Sequence, residues 1–207
     1  MYIPAAFQET DPENLFDLIA QYSFGILISD LDGVPFATHL PLLLDRTAGP
    51  YGCLIGHMAR ANPHWEQAEG KTALAVFSGP HAYVSPTWYE ADNVVPTWNY
   101  VAVHAYGTFR ASHDQDALLQ IVGQYVDFFE ATLPQPWKFD SSNDYSKKLA
   151  GASVGFRIEI SRLEGKWKLN QNHPRERREK VIAALDASND ENARAVAELM
   201  KADLLTP

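Results

Sequence analysis

The chain has 207 residues, 46% of them apolar and 12% aromatic, which is enough to build a real core and excludes a disordered polymer. Its apolar runs are too short to cross a bilayer, and a formal charge of −9 opposes extended contact with a polyanion. The single cysteine, Cys53, excludes an intrachain disulfide and a cysteine-based zinc site, and agrees with a reducing cytoplasm, where the chain is expected.

The opening MYIPAAFQETDPENL carries acids and prolines instead of a basic segment followed by an apolar one, so no secretory signal is expected. Asp11-Pro12 predicts a helix start, with Leu15, Leu18, Ile19 and Tyr22 following at helical spacing. Phe24 to Ser29 reads as a strand, and the turn dipeptide Asp32-Gly33 joins it to a second strand over Pro35 to Asp45, predicting a hairpin. A turn at Ala48 to Pro50 leads to a strand over Tyr51 to Ala59, then a short helix from Pro63 to near Gly70. Strands are predicted again at Thr72 to Ser78 and Ala82 to Ser85, separated by a break at Gly79-Pro80.

Val95 to Ala111 alternates as a long strand, with Val101, Val103, Ala105 and Gly107 on one side and Tyr100, Ala102, His104 and Tyr106 on the other. Leu118, Leu119, Ile121, Val122, Tyr125, Val126 and Phe129 mark a helix from about Asp114 to Thr132. Asp140 to Lys147 reads as loop plus a short helix, and Val154, Phe156, Ile158 and Ile160 alternate as a final strand. Beyond Trp167 the composition turns charged and alanine-rich, with Pro174 opening one helix and Ser188-x-x-Glu191 forming a capping box for another. About six mostly antiparallel strands with a few helices predict a closed sheet, because closure removes exposed edges.

Several chemistries lack their residues. The seven histidines, His39, His57, His64, His81, His104, His113 and His173, show no HExxH pair, so no metal site is expected. No GxSxG elbow accompanies any serine, and Cys53 sits in an apolar strand without a basic neighbour in sequence. Neither a GxxxxGK[ST] loop nor a GxGxxG turn is present. The basic cluster Arg175, Arg177, Arg178 and Lys180 is interleaved with Glu176 and Glu179, the pattern of a solvated helix face with internal pairs.

Two segments carry positive signals. In GHMARANPHW, Gly56 to Trp65, Arg60 and Asn62 lie at a strand-to-helix turn, where a phosphate would meet a guanidinium fork and unpaired helix N–H groups. The same residues also read as a helix capped by Asn62 with Arg60 solvated. From His81 to Tyr106 the chain is rich in aromatic rings, which suits the wall of a planar heteroaromatic ligand and equally a core or dimer interface.

Taken together, MYIPAAF, THLPLLLD, GHMARANPHW, GPHAYVSPTWY, VPTWNYVAVHAYG and KWKLNQN resemble, in order and over nearly the whole chain, the PaiB family of FMN-binding split-barrel proteins. Members are often described as negative transcriptional regulators of protease production and sporulation. The resemblance implies a mainly β fold with peripheral helices, a six-stranded split barrel forming a homodimer, and one FMN in each of two clefts between subunits. Residues 1–165 would form the FMN-binding barrel with inserted helices, and 166–207 a helical extension packed on the barrel or the dimer partner. By similarity, Thr38, His39, Leu40, Pro41, His57, Met58, Ala59, Arg60 and Asn62 hold the flavin, with Arg60 and Asn62 on its phosphate and His57 and Thr38 nearer the ribityl chain or ring. Tyr83, Ser85, Trp98 and Tyr100 would shape the opposite wall, with Lys168 and Gln171 at the cleft edge. Asn170 departs from the pattern, in which a serine is expected between the leucine and glutamine of the last motif.

The function implied is FMN binding with a redox or flavin-dependent regulatory role, including an FMN-dependent oxidoreductase acting on a small molecule. No side chain is then obliged to be an acid, base or nucleophile; His57, His81 and Tyr100 are candidates for proton delivery. A regulator acting through DNA or a protein partner is the alternative, although no basic recognition helix is visible. Haem binding is a further alternative, because other split barrels use a C-terminal histidine and His173 lies just beyond the last motif.

Overall fold

The computed structural model describes residues 1–205, with Leu149 described by its backbone alone. Strand β1 (Gln8–Glu9) and helix α1 (Pro12–Gln21) are followed by β2 (Phe24–Leu31), β3 (Val34–Pro41), β4 (Leu43–Asp45) and β5 (Cys53–Ala59). Helix α2 (His64–Ala68) precedes β6 (Thr72–Val84), β7 (Thr97–Ser112), α3 (Gln115–Glu130) and α4 (Asp144–Ala150). Strand β8 (Ser153–Lys168) and helices α5 (Arg175–Asp186) and α6 (Glu191–Leu205) complete the chain. The strands form one sheet in the order β3-β2-β6-β7-β8-β5-β4, with β1 on β8.

Contacts divide the chain into two compact units: Met1–Leu18, Ser78–Val103 and Glu164–Pro207 form the first, Ile19–Phe77 and His104–Leu163 the second. Strands β6, β7 and β8 contribute residues to both.

In the second unit, the outermost strands of the order, β3 and β4, are consecutive in the chain and separated only by Leu42, so the sheet curls until its ends meet. The single strand expected over Pro35 to Asp45 is therefore two. Leu42, fully buried, donates its N–H to Ser23 O at 2.8 Å, and the chain crosses there from a ladder on β2 to one on β5. The hairpin at Asp32-Gly33 forms as expected, with both residues at positive φ. Phe77, Phe109, Phe156, Leu54 and Ile158 fill the interior, and Phe109 stacks on Phe156 with centroids 4.8 Å apart. Gly107 allows the closest backbone approach, since a Cβ there would lie 2.4 Å from Glu159 O. Helix α3, capped by the Asp114 side chain on Asp116 N, packs Ile121 and Tyr125 against Leu43 and Ile55.

The break expected at Gly79-Pro80 does not occur, because β6 runs through it. Buried positions are Ala73, Ala75 and Phe77 before the dipeptide, both residues of the dipeptide, and Ala82 and Val84 after it. Two consecutive buried residues, Gly79 and Pro80, therefore shift the phase of the alternation within one strand. Strand β8 likewise runs past Ile160 to Lys168.

In the first unit, α5 and α6 pack Val181, Leu185, Val196 and Met200 into a buried layer. Asn99, fully buried, donates from Nδ2 to Met200 Sδ at 3.3 Å. The cap of α6 is Asp190 instead of Ser188: Asp190 accepts from Asn192 N at 2.9 Å, while Ser188 Oγ accepts from Asp190 N at 3.1 Å. Most cations of α5 pair with carboxylates as expected, but Arg178 is buried and paired with Asp203, so it does not belong to a solvated face.

Candidate functional site

The β5-to-α2 turn in the second unit is built by hydrogen bonds that reach well outside its own segment. Arg60 N donates to Ala152 O at 2.8 Å, its Nε to Gly151 O at 2.9 Å and one Nη2 hydrogen to Ser153 O at 2.9 Å. A guanidinium carries five N–H donors, so these two side-chain bonds leave three on an exposed group. Trp65 Nε1 donates to Arg60 O at 2.9 Å and closes the turn from its other side. Arg60 is thus oriented by carbonyls before any ligand arrives. Helix α2 is a single short turn whose first N–H, on His64, is taken by Asn62 Oδ1 at 3.0 Å. The exposed cationic group at this turn is the Arg60 guanidinium, and Asn62 takes only the first N–H of the helix.

Beneath the turn lies a chain of polar contacts centred on His64. Its Nδ1 is 2.8 Å from Thr38 Oγ1 and its Nε2 2.7 Å from Ser29 Oγ, and Asn62 Nδ2 donates to Thr38 Oγ1 at 3.1 Å. A neutral imidazole with one donor and one acceptor satisfies this set: Asn62 donates to Thr38, Thr38 to Nδ1, and Nε2–H to Ser29. Burial holds the His64 pKa below its ordinary value, which favours that neutral form. Thr38 and Asn62, far apart in sequence, are brought together through this histidine.

His57 is also held neutral by burial. Its ring meets Tyr125 edge-on with centroids 4.9 Å apart, and its Nδ1 is buried without a hydrogen-bond partner among the described residues. Tyr125 donates its hydroxyl toward Pro41 O at 2.6 Å, with Ile55 O at 3.0 Å, tying β3 to β5. Of the remaining expected residues in this unit, Leu40 and Met58 are buried, whereas His39 and Ala59 are exposed. Cys53 does have a basic neighbour in space, Arg157, which lowers its thiol pKa, but burial raises it by more and leaves the thiol protonated.

The other expected residues lie in the first unit. Tyr83 and Trp98 are 46% and 54% exposed and meet edge to face at 5.9 Å, forming an aromatic surface rather than a core. Tyr100 lies under the Lys166 ammonium, 5.1 Å from its ring centroid. Ser85 caps a 3-10 turn over Pro86–Tyr89 by accepting from Thr87 N. Lys168 Nζ donates to Thr97 Oγ1 at 2.5 Å and Trp98 O at 2.6 Å. Gln171 is occupied within its own turn, accepting from Leu169 N at 2.7 Å and donating to Trp167 O at 2.8 Å.

Three contributors were not selected from sequence: His64, Ser29 and Tyr125. His64 stands inside GHMARANPHW, immediately after Pro63, so its signal was present in the motif itself. Ser29 and Tyr125 gave none, because their partners are 35 and 84 residues away.

Residues 1–162 match the family described as "Putative FMN-binding domain". Over 205 residues the chain is 37% identical to the "Protease synthase and sporulation protein PAI 2" of Bacillus subtilis (strain 168), covering 97% of each chain. Its fold is similar to that of a flavocytochrome from Azotobacter vinelandii, at TM-score 0.61 and 15% identity, over 78% of this chain and 69% of that one. It is similar also to an FAD- and haem-binding protein from Mycobacterium smegmatis, at TM-score 0.60 and 17% identity, over 78% and 73% of the two chains.

Proposed function

This chain belongs to the FMN-binding-domain family that its residues 1–162 match, and from that membership we propose that it is an FMN-binding split-barrel flavoprotein in which Arg60 receives the phosphate. The observation that carries the residue assignment is the pre-set guanidinium: two N–H groups are anchored on carbonyls and three remain exposed. An oriented fork gives up little side-chain freedom when it binds an oxyanion. The residues nearby fit the rest of the group. His57 offers a buried, unpartnered Nδ1, and Thr38 and Asn62 are held by His64.

When bound, FMN supplies electron or hydride transfer. The chain's own residues bind and orient it: Arg60 fixes the phosphate, the Thr38–His64–Asn62 chain keeps the turn rigid, and the neutral His57 presents a polar atom without bringing a charge. We take the working form to be a homodimer in the cytoplasm. Among the described residues no helix is long and apolar enough to cross a membrane.

A regulatory role is the second reading, favoured by the name of the Bacillus relative. On α5, Arg175 pairs with Glu179, Lys180 with Glu176 and Glu90, and Arg178 with Asp203, so this basic run is largely matched by carboxylates. Regulation through flavin state and a protein partner therefore accounts for the surface better than direct reading of DNA. The test is retention of yellow absorbance after incubation with FMN and gel filtration. Wild type should retain it, and Arg60→Ala should bind about tenfold or more weakly, the loss of one or two charge-assisted hydrogen bonds. A colourless wild-type protein would end the flavin reading, and an unchanged Arg60→Ala affinity would remove Arg60 from it.

A further inference from the structure

The first unit contains a cavity of about 310 Å³ beside the start of α5, lined by Lys168, Arg177, His173, Asn170 and Tyr89 together with apolar Phe7 and Val94. We propose that this cavity binds the oxyanion, carboxylate or phosphate, of a small organic molecule.

Charge is the first argument. In a chain of net charge −9, no carboxylate stands among the described residues lining this cavity, while Lys168, Arg177 and three asparagines do. The other cations of α5 are matched by Glu179, Asp203, Glu176 and Glu90, but Arg177 has no ion pair among the described residues. Among the described residues Lys168 donates to neutral oxygens alone, Thr97 Oγ1 and Trp98 O, and lies over the Phe7 ring, contacts that fix its position without cancelling its charge and leave one N–H to give. Two cations lining one concave wall, with no acid to offset them, are an incomplete set that an oxyanion completes.

The walls are also rigid. His173 stacks on Tyr89 with centroids 5.0 Å apart and planes 21° from parallel, Asn170 Nδ2 donates to the Tyr89 hydroxyl at 2.8 Å, and His173 N donates to Asn170 O at 2.9 Å. Asn170, at φ 62°, makes the turn that brings its amide under the tyrosine. Burial first, and then the charges of Arg177 and Lys168, hold the His173 pKa below its ordinary value, so both cations act on the same ring. The volume is at the lower end of small-molecule sites, which run from about 300 to 1,000 Å³. Phe7 and Val94 offer the hydrocarbon part an apolar wall.

The test is a titration of isotope-labelled protein, alone and saturated with FMN, with inorganic phosphate and with benzoate at constant chloride, read by NMR at the Asn170 side-chain amide and the Asn172 to Arg177 backbone. A saturable shift from phosphate, benzoate or both, in the presence and absence of FMN, is expected, and the relative affinities tell a phosphate from a carboxylate. Arg177→Gln and Lys168→Met should each weaken it about tenfold or more. Arg175→Gln, on the same helix but paired with Glu179, should not. No saturable shift, equal binding by both weakened variants, or competitive displacement by FMN would overturn the proposal, the last by assigning the cavity to the flavin. The titration without FMN stands whether or not the flavin reading does.

Discussion

Replacing His64 by Leu removes a fully buried imidazole that bridges Ser29 and Thr38 at 2.7 and 2.8 Å. Thr38 keeps the bond from Asn62 Nδ2, but the buried Ser29 hydroxyl loses its ring partner, and a stranded buried polar group costs about 1–3 kcal/mol. That is the expected deficit in urea denaturation near neutral pH. The pH dependence separates this cause from simple loss of packing. Burial lowers the folded-state pKa of His64, so below the ordinary histidine value of about 6.5 the unfolded chain takes up a proton that the folded chain refuses. Stability from this group is therefore complete above that pH and is lost as pH falls through it toward the folded value. Leucine cannot titrate. The deficit of the variant should accordingly narrow, by up to about 1.4 kcal/mol at roughly pH 5.5 compared with roughly pH 7.5. His57 and His173, whose pKa values are also lowered, titrate alike in both proteins and cancel in the difference. A deficit that stays constant across this range would refute the neutral, buried role given to His64.

Tyr125→Phe deprives Pro41 O and Ile55 O of their shared hydroxyl and should destabilise by about 1–3 kcal/mol in the same assay, while a change within about 0.5 kcal/mol would show the β3-to-β5 tie to be dispensable. Gly56→Ala would place a Cβ 2.2 Å from Phe156 Cζ, against a fully buried ring, so a loss of about 1–3 kcal/mol or more is expected, partly recovered by adding Phe156→Leu. Failure of the double variant to recover stability would mean the backbone, and not the ring, sets the limit. Arg178→Met removes the cation paired with Asp203 and leaves it the 3.5 Å bond from Gln171 Nε2, and thermal unfolding should report about 2–3 kcal/mol of lost stability, less than the roughly 3–5 kcal/mol of a wholly buried pair because the Asp203 side chain is 31% exposed.

Period and punctuation in the chain were sufficient for most of its elements. The alternation through Val101, Val103, Ala105 and Gly107 and the helical spacing of Leu118, Ile121 and Tyr125 are local patterns, and each states which face is buried wherever the segment comes to lie. The ordered motifs from MYIPAAF to KWKLNQN likewise sufficed to identify the family, and GHMARANPHW already contained Arg60, Asn62 and His64. Tertiary structure decided the matters in which a residue's partner is remote. Leu42 divides a continuous apolar run because its neighbours find ladders on different strands, and the strand through Gly79-Pro80 continues while its buried alternation changes phase. Arg60 could be read as cationic from sequence. That its fork is half anchored, on carbonyls 91 and 93 residues away, follows only from where β8 begins. Spacing along a chain fixes the direction of a side chain, whereas the atoms it meets are fixed by which remote segments come to lie beside it.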